Sequence, residues 1–461
     1  MENFKIITSE RGKELALLNN DKYSYVRTRK DGLMKWKCSN NSCSASLLTK
    51  IDKTFHSSNG KHVNHASNNN EKIERQILRE NCKRKAEENT STRPLKIIRT
   101  ELLNSDLPNI MNNDITSVRK AIYDKKRKQY PIYPTSLNEA ISQLKNIQNN
   151  DLCMFKSEQF VFVPETNDFV CITISQNLNF ISKQTDFFGD GTYDFAPKFF
   201  LQLYTLHTYV NGFYVPVVYF FLPNKTKQIY IMMWKYLLQI CPALNVKKLH
   251  LDFEIGAHEA VKEIFPNVII ETCRFHIAQA WWRKINGESK LRSAYKDNND
   301  ELGQWLKLFF GLPFLLPTDV DDAFTKLMAI CPDLEVGSLF SDYVLNTYIE
   351  DDSLFPPILW AQVPSLNPRT TNGAESFHRT YNGQFYSTHP PTHAVISVLK
   401  ETQTQTVAII NSIENNITKT MARKDYNRIV STINLYKEFE QNKDIIWYLK
   451  LTGNKYLGKK Y

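Results

Sequence analysis

The sequence has little of what marks membrane and secreted proteins. Its 461 residues contain only eight cysteines, which are scattered and form no dense disulfide framework. The apolar run at 213–222 is far too short to span a bilayer, and the first residues show no basic segment followed by a long apolar core. We therefore expect a soluble, non-secreted protein whose cysteines are reduced thiols or metal ligands.

Positive charge is unevenly distributed along the chain. The net charge is +10, and residues 1–130 contain 27 Lys/Arg against 15 Asp/Glu, so the remainder has a small acidic excess. With 42% hydrophobic and 12% aromatic residues, the chain can bury a sizeable core in two or three domains. A surface for a negatively charged partner is therefore expected in the N-terminal region.

Composition and periodicity divide the chain into segments. Short apolar runs between turn signals predict a β-rich module, a polar stretch predicts a linker, and alternating strands and helices predict an α/β core with a mixed sheet, the architecture of ribonuclease H-like folds. The predicted segments are the β-rich module at 1–66, a flexible basic linker at 67–110, a segment of helix and strand that precedes the core at 111–180, the core at 181–395 with a helical insertion at about 290–365, and a helical region at 396–461. The last region could support a homodimer, although packing within the chain is the default.

Three carboxylates stand in settings that suit metal binding. Asp190 follows a predicted strand, within the sequence Phe-Gly-Asp-Gly-Thr-Tyr. Asp252 ends a later predicted strand, and Glu375 lies in Thr-Asn-Gly-Ala-Glu-Ser-Phe. Carboxylate oxygens suit Mg²⁺, and two divalent ions about 3.5–4 Å apart stabilise the attacking and leaving oxygens of a displacement at phosphorus. The three acids therefore predict an enzyme that cuts DNA.

Each carboxylate also has an ordinary structural explanation. Glu375 could complete a helix capping box that begins at Asn372. Asp252 could cap the following helix, and Asp190 could form a turn. Three nearby acids could take the same catalytic roles: Asp186, Asp194 and Glu254. The order of the three acids on a predicted α/β sheet favours the catalytic interpretation.

A second candidate metal site lies near the N-terminus. Cys38 and Cys43 are separated from His62 and His65 by 18 residues, and a Cys₂His₂ set suits tetrahedral Zn²⁺. His56 is a weaker alternative for the third ligand. A small β module with little core gains folding free energy from such a site. The sequence therefore predicts a zinc-bound module.

Basic residues surround Trp36 in the same module. They are expected to contact phosphates, which gives salt-dependent affinity for nucleic acid without specifying a sequence. The predicted DNA-binding residues are Arg27, Arg29, Lys30, Lys35, Trp36 and Lys37. A solvated lysine surface is the alternative, and the coincidence with the zinc pattern favours nucleic acid.

Residues 185–285 resemble the MULE (Mutator-like element) transposase domain. The similarity lies in Asp-Gly-Thr-Tyr at 190–193, Leu-Asp-Phe-Glu at 251–254 and Cys-Arg-Phe-His at 273–276, and Thr-Asn-Gly-Ala-Glu at 371–375 resembles the segment with the last acid. The resemblance implies a ribonuclease H-like core in which Asp190, Asp252 and Glu375 hold Mg²⁺ or Mn²⁺, with a helical insertion before the third acid. A transposase of this kind would cleave double-stranded DNA at transposon ends and join the strands. The basic clusters at 83–85 and 125–128 could be nuclear-import signals, phosphate contacts or solvated charge runs, and we expect a nuclear protein.

Cys273 and His276 match the Cys-x-x-His that lies between the second and third acids in this superfamily. A pair alone cannot close a four-ligand zinc site, so we expect a structural role in organising the strand after Asp252. The alternative is a buried cysteine beside a hydrogen-bonded histidine.

Residues 4–65 resemble a FLYWCH-type zinc finger. The similarity includes Phe4, Arg-Gly at 11–12, Tyr-Ser-Tyr at 23–25, Trp-Lys-Cys at 36–38 and Cys-Ser-Ala at 43–45. The family commonly ends in His-x-His, whereas this chain has two residues between His62 and His65. The resemblance implies DNA or protein binding by a face of the β-sheet.

Two functions from different classes remain open. The first is an active transposase, which the three intact acids favour. The second is a DNA-binding or regulatory protein derived from such an element, with an inert core. The last cysteine is Cys331, so the C-terminal Cys/His zinc motif of many relatives is absent, which counts against the first. A nuclease of other origin would share the acidic site without strand joining.

Overall fold

The computed structural model describes residues 4–9, 11–63, 65–88, 92–128, 130–367 and 372–457. The chain divides into two compact units, Met1–Tyr133 and Pro134–Tyr461. No helix within the described ranges is long and apolar enough to cross a membrane. Thr371 of the third-acid motif, the side chain of Asn372 and residues 89–91 of the predicted linker lie outside the described residues.

The first unit begins with a six-stranded antiparallel sheet whose strands pair in sequence order. The strands are β1 (Phe4–Thr8), β2 (Glu14–Leu18), β3 (Asp21–Thr28), β4 (Met34–Cys38), β5 (Ser46–Thr49) and β6 (Phe55–Asn59). Asn19 and Asn20 connect β2 to β3 with φ angles of 49° and 70°, in the left-handed region that asparagine tolerates in tight hairpins. The inner face packs around Trp36, which has no exposed surface. The predicted β-rich module is thereby confirmed.

Three helices follow this sheet, and two of them lie where the sequence predicts a flexible linker. They are α1 (Asn70–Glu88), α2 (Pro94–Asn104) and α3 (Asn112–Arg127). Leu78, Ile98 and Ile122, one from each helix, are fully buried in a shared apolar cluster. Residues 67–110 therefore contain packed helices. Polar residues dominate their sequence because only a narrow stripe of each helix is apolar and the remaining faces are charged.

A seven-stranded mixed sheet forms the centre of the second unit. The elements up to its last strand are α4 (Leu137–Asn146), β7 (Met154–Phe155), β8 (Glu158–Gln159), β9 (Val161–Phe162), β10 (Val170–Ile172), α5 (Ser175–Ile181), β11 (Asp186–Thr192), β12 (Gln202–Val210), β13 (Phe213–Leu222), α6 (Lys227–Ile240), β14 (Lys248–Leu251), α7 (Ile255–Ile264) and β15 (Ile269–Thr272). The strand order is β15-β14-β11-β12-β13-β10-β9, while β7 and β8 form a separate hairpin. β11, β12 and β13 are antiparallel neighbours, and β14 and β15 run parallel to β11. The predicted mixed α/β architecture is confirmed.

The sheet is buried because most of its strand residues are apolar and long helices cover them. The remaining helices are α8 (Arg274–Gly287), α9 (Ser289–Lys296), α10 (Glu301–Leu308), α11 (Val320–Ala329), α12 (Leu334–Val344), α13 (Asn372–Asn382), α14 (Thr392–Glu414), α15 (Arg423–Asn442) and α16 (Ile445–Lys455). Trp281 of α8 has no exposed surface and packs edge-on against Phe310 and Trp360. It is therefore a core residue.

Candidate functional site

Four N-terminal side chains converge beside the end of β4: Cys38, Cys43, His62 and His65. Cys38 Sγ lies 3.4 Å from His65 Nε2, and Cys43 Sγ lies 3.5 Å from His62 Nδ1. The two imidazole nitrogens are 3.2 Å apart. Tetrahedral Zn²⁺, with bonds of about 2.0–2.3 Å, holds its ligand atoms about 3.3–3.8 Å apart. The geometry of these four residues therefore fits a zinc ion.

Neighbouring groups orient both histidines toward the thiols. Asp21 Oδ2 lies 3.3 Å and the Tyr23 hydroxyl 2.7 Å from His62 Nε2, while His65 Nδ1 lies 3.0 Å from the Ala66 carbonyl oxygen. These contacts direct His62 Nδ1 and His65 Nε2 toward the ligand position, as carboxylate and carbonyl partners do in zinc sites. The sequence analysis missed Asp21, because no spacing signal connects it to a histidine that lies far along the chain.

The two thiols have different environments. A backbone hydrogen bond from Val63 is the largest cause that lowers the pKa of Cys43, to about 6. Burial is the largest cause that raises the pKa of Cys38. Because the thiolate is the form that binds metal, Cys43 is ready to do so near neutral pH. His56, the alternative third ligand, is exposed on β6 and is not part of the four-residue cluster.

Trp36 lies in the core of the N-terminal module, where it cannot contact DNA. Its side chain has no exposed surface, and Nε1 donates a hydrogen bond to Thr49 Oγ1 at 3.0 Å. Its assignment as a DNA-binding residue is therefore corrected. The aromatic and basic residues of β4 alternate, so the pleat of the strand sends them to opposite faces.

The predicted basic residues lie on the other face of the sheet or in the following turn. Lys37 is exposed and Lys35 partly exposed on β4, and Arg27 of β3 is paired opposite Lys35. Arg29 and Lys30 are exposed at the end of this hairpin. The module therefore presents a basic surface on the side away from its small core.

Asp190 and Asp252 are carried to the same face of the central sheet by two parallel strands. Phe188 of β11 pairs with His250 of β14, and their rings stack with centroids 4.1 Å apart. Asp190 and Asp252 each follow two residues later, and side chains alternate with a period of two. Asp190 lies inside β11, whereas the sequence predicts it after the strand. Asp252 follows the end of β14, where α/β sheets place ligands.

Asp190 is buried and paired with a histidine that the sequence analysis missed. Its Oδ2 lies 3.2 Å from His378 Nδ1, and its Oδ1 accepts the backbone N–H of Gly191 at 2.9 Å. Burial raises the pKa of Asp190, but His378, with smaller contributions from His276 and His207, outweighs burial, so the pKa lies below its ordinary value. His378 comes one helical turn after Glu375, a spacing that could have predicted a shared face of α13.

A chain of hydrogen bonds continues from His378 into the core. Thr205 Oγ1 lies 3.1 Å from His378 Nε2 and 2.9 Å from His207 Nε2, and it donates to the Asp190 carbonyl oxygen at 3.2 Å. Burial lowers the pKa of His207 to about 3, so this ring is neutral. Since Thr205 has one hydroxyl hydrogen, both imidazoles are placed to donate to its oxygen. These hydrogen bonds thereby hold His378 in position against the Asp190 carboxylate.

Asp252 has a raised pKa. Burial is the main cause and raises it to about 7, with further contributions from Asp190 and Glu254, while His276 and Lys225 act in the opposite direction. Its carboxylate accepts no hydrogen bond from a side chain in the described ranges of the structure. A bound cation would stabilise the charged form, so this position fits a metal ligand.

The structure distinguishes the alternative catalytic acids from one another and tests whether Asp252 caps a helix. Glu254 lies near Asp252, accepts a hydrogen bond from the Tyr193 hydroxyl at 3.2 Å and has a pKa raised mainly by burial. Asp186 instead pairs with His250 Nε2 at 2.9 Å. The residue that precedes α7 is Glu254, so Asp252 does not cap that helix.

Glu375 lies with Cys273 and His276. One potential ligand atom from each of the three residues falls within 4.8 Å of the others. Burial lowers the pKa of His276, but Cys273, Asp190 and Asp252 raise it to about 10. His276 therefore interacts with the two aspartates as well as with the Cys273 cluster, and all three predicted acids lie around it.

Residues 187–280 match the family model of the MULE transposase domain. The matched segment runs from β11 into α8, so it includes Asp190, Asp252, Cys273 and His276 and ends before Glu375. This match relates the chain to transposases. A comparison with curated proteins found no match. The resemblance of residues 4–65 to a FLYWCH-type finger stays a prediction.

Proposed function

We propose that this chain is a metal-dependent DNA transposase with a ribonuclease H-like core and an N-terminal zinc-bound, FLYWCH-type module that binds DNA. One observation carries the proposal: the match to the MULE transposase domain coincides with two neighbouring carboxylates, Asp190 in β11 and Asp252 directly after the adjacent strand β14. The sheet supports it further, because three antiparallel strands, β11 to β13, are extended on the β11 side by two parallel strands.

Asp190, Asp252 and Glu375 would hold Mg²⁺ or Mn²⁺. The donor atoms are carboxylate oxygens, which suit hard cations, and the raised pKa of Asp252 reflects buried negative charge that a cation would stabilise. Metal bound there would activate water, and then a 3′-hydroxyl, for in-line attack at phosphorus and would neutralise the charge that develops.

Neighbouring side chains would prepare this site for a phosphodiester. His378 holds the Asp190 carboxylate in one orientation, and Thr205 holds His378. Lys225 lies close enough to Asp252 to lower its pKa, and its ammonium group would attract a phosphate oxygen. No side-chain nucleophile is required, because the attacking oxygen belongs to water or to DNA.

The N-terminal module would bring the catalytic unit to double-stranded DNA at the ends of the element, in the nucleus. Its exposed basic face supports phosphate contacts, which position a protein on DNA and make affinity depend on salt. The residues proposed to make these contacts are Arg27, Arg29, Lys30, Lys35 and Lys37.

The proposal is tested by cleavage and strand transfer on a plasmid library in Mg²⁺ or Mn²⁺. The purified wild type is compared with a triple variant, Asp190→Asn, Asp252→Asn and Glu375→Gln, which keeps the shapes of the side chains. A matched control is Asp186→Asn, on the same strand as Asp190 and paired with His250. We expect the wild type and the control to cleave and join DNA and the triple variant to do neither.

A second candidate function is favoured by the pairing of Asp190 with His378. A carboxylate that already pairs with a histidine is less available to a cation, which suits a transposon-derived DNA-binding or regulatory protein with an inactive core. If the wild type neither cuts nor joins DNA but binds it in a salt-sensitive manner, this second function replaces the first.

A further inference from the structure

We propose that Cys273, His276 and Glu375 form a transition-metal site, suited to Zn²⁺, that is distinct in ligand chemistry from the oxygen-donor site around Asp190 and Asp252. The proposal does not rest on transposase activity, because it concerns three side chains that would bind metal in an active or inactive protein. The sequence predicts only a structural Cys/His pair here, and the fold supplies the third ligand.

The local structure explains why the first two ligands face each other. Cys273 directly precedes α8 and His276 is the third residue of that helix. In this arrangement the two side chains lie on the same side of the first turn, as those of a capping box do. The His276 backbone N–H donates to the Cys273 carbonyl oxygen at 3.0 Å, which fixes the turn.

Glu375 reaches this pair from a separate part of the chain. It lies in the first turn of α13, and His378 on the same helix pairs with Asp190 of β11. Gly373 permits the close approach of α13 to β13, because a Cβ atom there would lie only 2.0 Å from the Tyr214 ring. The helix is therefore held where Glu375 can meet the Cys/His pair.

The separation of the donor atoms fits a metal after small side-chain rotations. The three donors lie within 4.8 Å of one another, and a tetrahedral zinc ion would hold them about 3.3–3.8 Å apart. The His276 ring also interacts with the Cys273 thiol through a side-chain hydrogen bond, which holds these two potential ligands together.

The chemistry of the donors selects the class of metal. A thiolate and an imidazole suit Zn²⁺ and related transition ions, whereas Mg²⁺ takes oxygen ligands. Three protein ligands leave a fourth position open, as in catalytic zinc sites, and a water or a phosphate oxygen could occupy it. Glu375 would then be shared between the zinc site and the proposed magnesium site.

The test is the zinc content of the full-length protein, measured by mass spectrometry with protein concentration determined in parallel. A Cys273→Ser, His276→Gln variant should contain one zinc equivalent per chain less than the wild type. Cys241→Ser is the matched control, since Cys241 is also a buried thiol of the second unit and donates to the Leu178 carbonyl oxygen. A folded double variant with as much zinc as the wild type would overturn the proposal.

Cobalt substitution keeps the test decisive if the double variant does not fold. Full-length protein with Cys38→Ser and Cys43→Ser lacks the N-terminal thiols, so a remaining thiolate-to-cobalt absorption band must come from the second unit. Such a band is the expected result, and its absence would contradict the site. Addition of Cys241→Ser should leave the band unchanged.

One further variant separates failure of this proposal from failure of the transposase proposal. Asp190→Asn should abolish DNA cleavage and leave the zinc equivalent of the second unit in place. If the wild type is inactive but the Cys273→Ser, His276→Gln variant still loses zinc, the metal site stands without the enzyme. If cleavage depends on Asp190 but zinc content does not depend on Cys273, the enzyme stands without this site.

Discussion

The N-terminal Cys/His cluster and the acidic site of the second unit differ in how completely their side chains are partnered by other protein groups. In the first, four donors converge at 3.2–3.5 Å and Asp21 orients one of the histidines. In the second, Asp190 is paired with His378, and Asp252 has a raised pKa. A closed set of four ligands is typical of structural zinc, and an incompletely satisfied set is typical of sites that bind a substrate.

The two regions also differ in how much apolar core supports them. The N-terminal cluster belongs to a small core of eight buried residues that includes Cys38 and Cys43, whereas the acidic site lies on a sheet with a very large apolar cluster. Small modules gain a large part of their folding free energy from a bound metal. The comparison therefore predicts that metal determines the fold of the first region and only the chemistry of the second.

The largest expected effect is the loss of the N-terminal fold when its metal is removed. Cys43→Ser should abolish cooperative folding of the module, because the binding free energy of structural zinc, about 10–16 kcal/mol in zinc-finger peptides, is also folding free energy. Limited proteolysis should then cleave within residues 4–65 while the second unit stays resistant. Full zinc content and unchanged protease resistance in this variant would show that the cluster is not a metal site.

A smaller effect is expected from the residue that orients His62. Asp21→Asn should weaken zinc affinity by about 10–100-fold, because it removes the carboxylate that holds the ring with Nδ1 toward the thiols. Competition with a chromophoric chelator measures this affinity. Asp31→Asn is the control, since Asp31 is an exposed acid of the same module that pairs with Arg29. Equal losses in both variants would argue against a specific role for Asp21.

Sequence patterns predicted the second unit better than the first because its strands are long and apolar. The apolar run at 213–222 is β13 with the same bounds, and α14, α15 and α16 fill most of the region predicted to be helical at 396–461. The helices α1 and α2 were missed because their buried stripes are narrow, so tertiary packing decides what composition does not. Trp36 was misassigned because the identity of a residue does not reveal which face of a strand is buried.

The residues of the acidic site also differ in how well the sequence predicts them. The position of Asp252 after a strand could be predicted because strand ends in α/β sheets are recognisable from the chain alone, whereas Asp190 lies inside β11 and was predicted after its strand. His207 and Thr205 could not be predicted, since they belong to β12 and contact the site only through the pairing of β12 with β11. Such partners depend on which strands are neighbours, and that information is not local in the sequence.

Without added divalent metal, the charged Asp252 carboxylate should make the wild type less stable to unfolding than a variant with a neutral side chain at this position. The folded-state pKa of Asp252 is raised from 3.8 to about 7, so the folded protein binds the proton more tightly, and this contribution to stability is lost as the pH rises through 7. Asp252→Asn should therefore be more stable than the wild type at pH 8, by roughly 1–2 kcal/mol after allowance for partial exposure.

Chemical unfolding at pH 4 and pH 8 measures this difference. The gain in stability should disappear at pH 4, where the carboxyl is protonated in the folded wild type. Asp186→Asn should change the free energy of unfolding little, because Asp186 is about half exposed. A destabilised Asp252→Asn at pH 8 would contradict the view that this carboxylate is kept for function at the expense of stability.

The smallest expected effect concerns the basic face of the first module. Lys37→Ala should weaken binding to duplex DNA of any sequence by a similar factor and should reduce the slope of log affinity against log salt by about 1. Lys53→Ala is the control, because Lys53 is paired with Glu14. If neither variant changes the salt dependence, the DNA-binding surface belongs elsewhere on the chain.

The helix α13 connects the Cys273 cluster to the acidic site. Within six residues it places Gly373 against Tyr214, Glu375 beside the Cys273 and His276 pair, and His378 on Asp190. A movement of this helix toward one site would change the geometry of the other. If both sites bind metal, their affinities are thermodynamically coupled, and each ion would alter the dissociation constant of the other by the same factor.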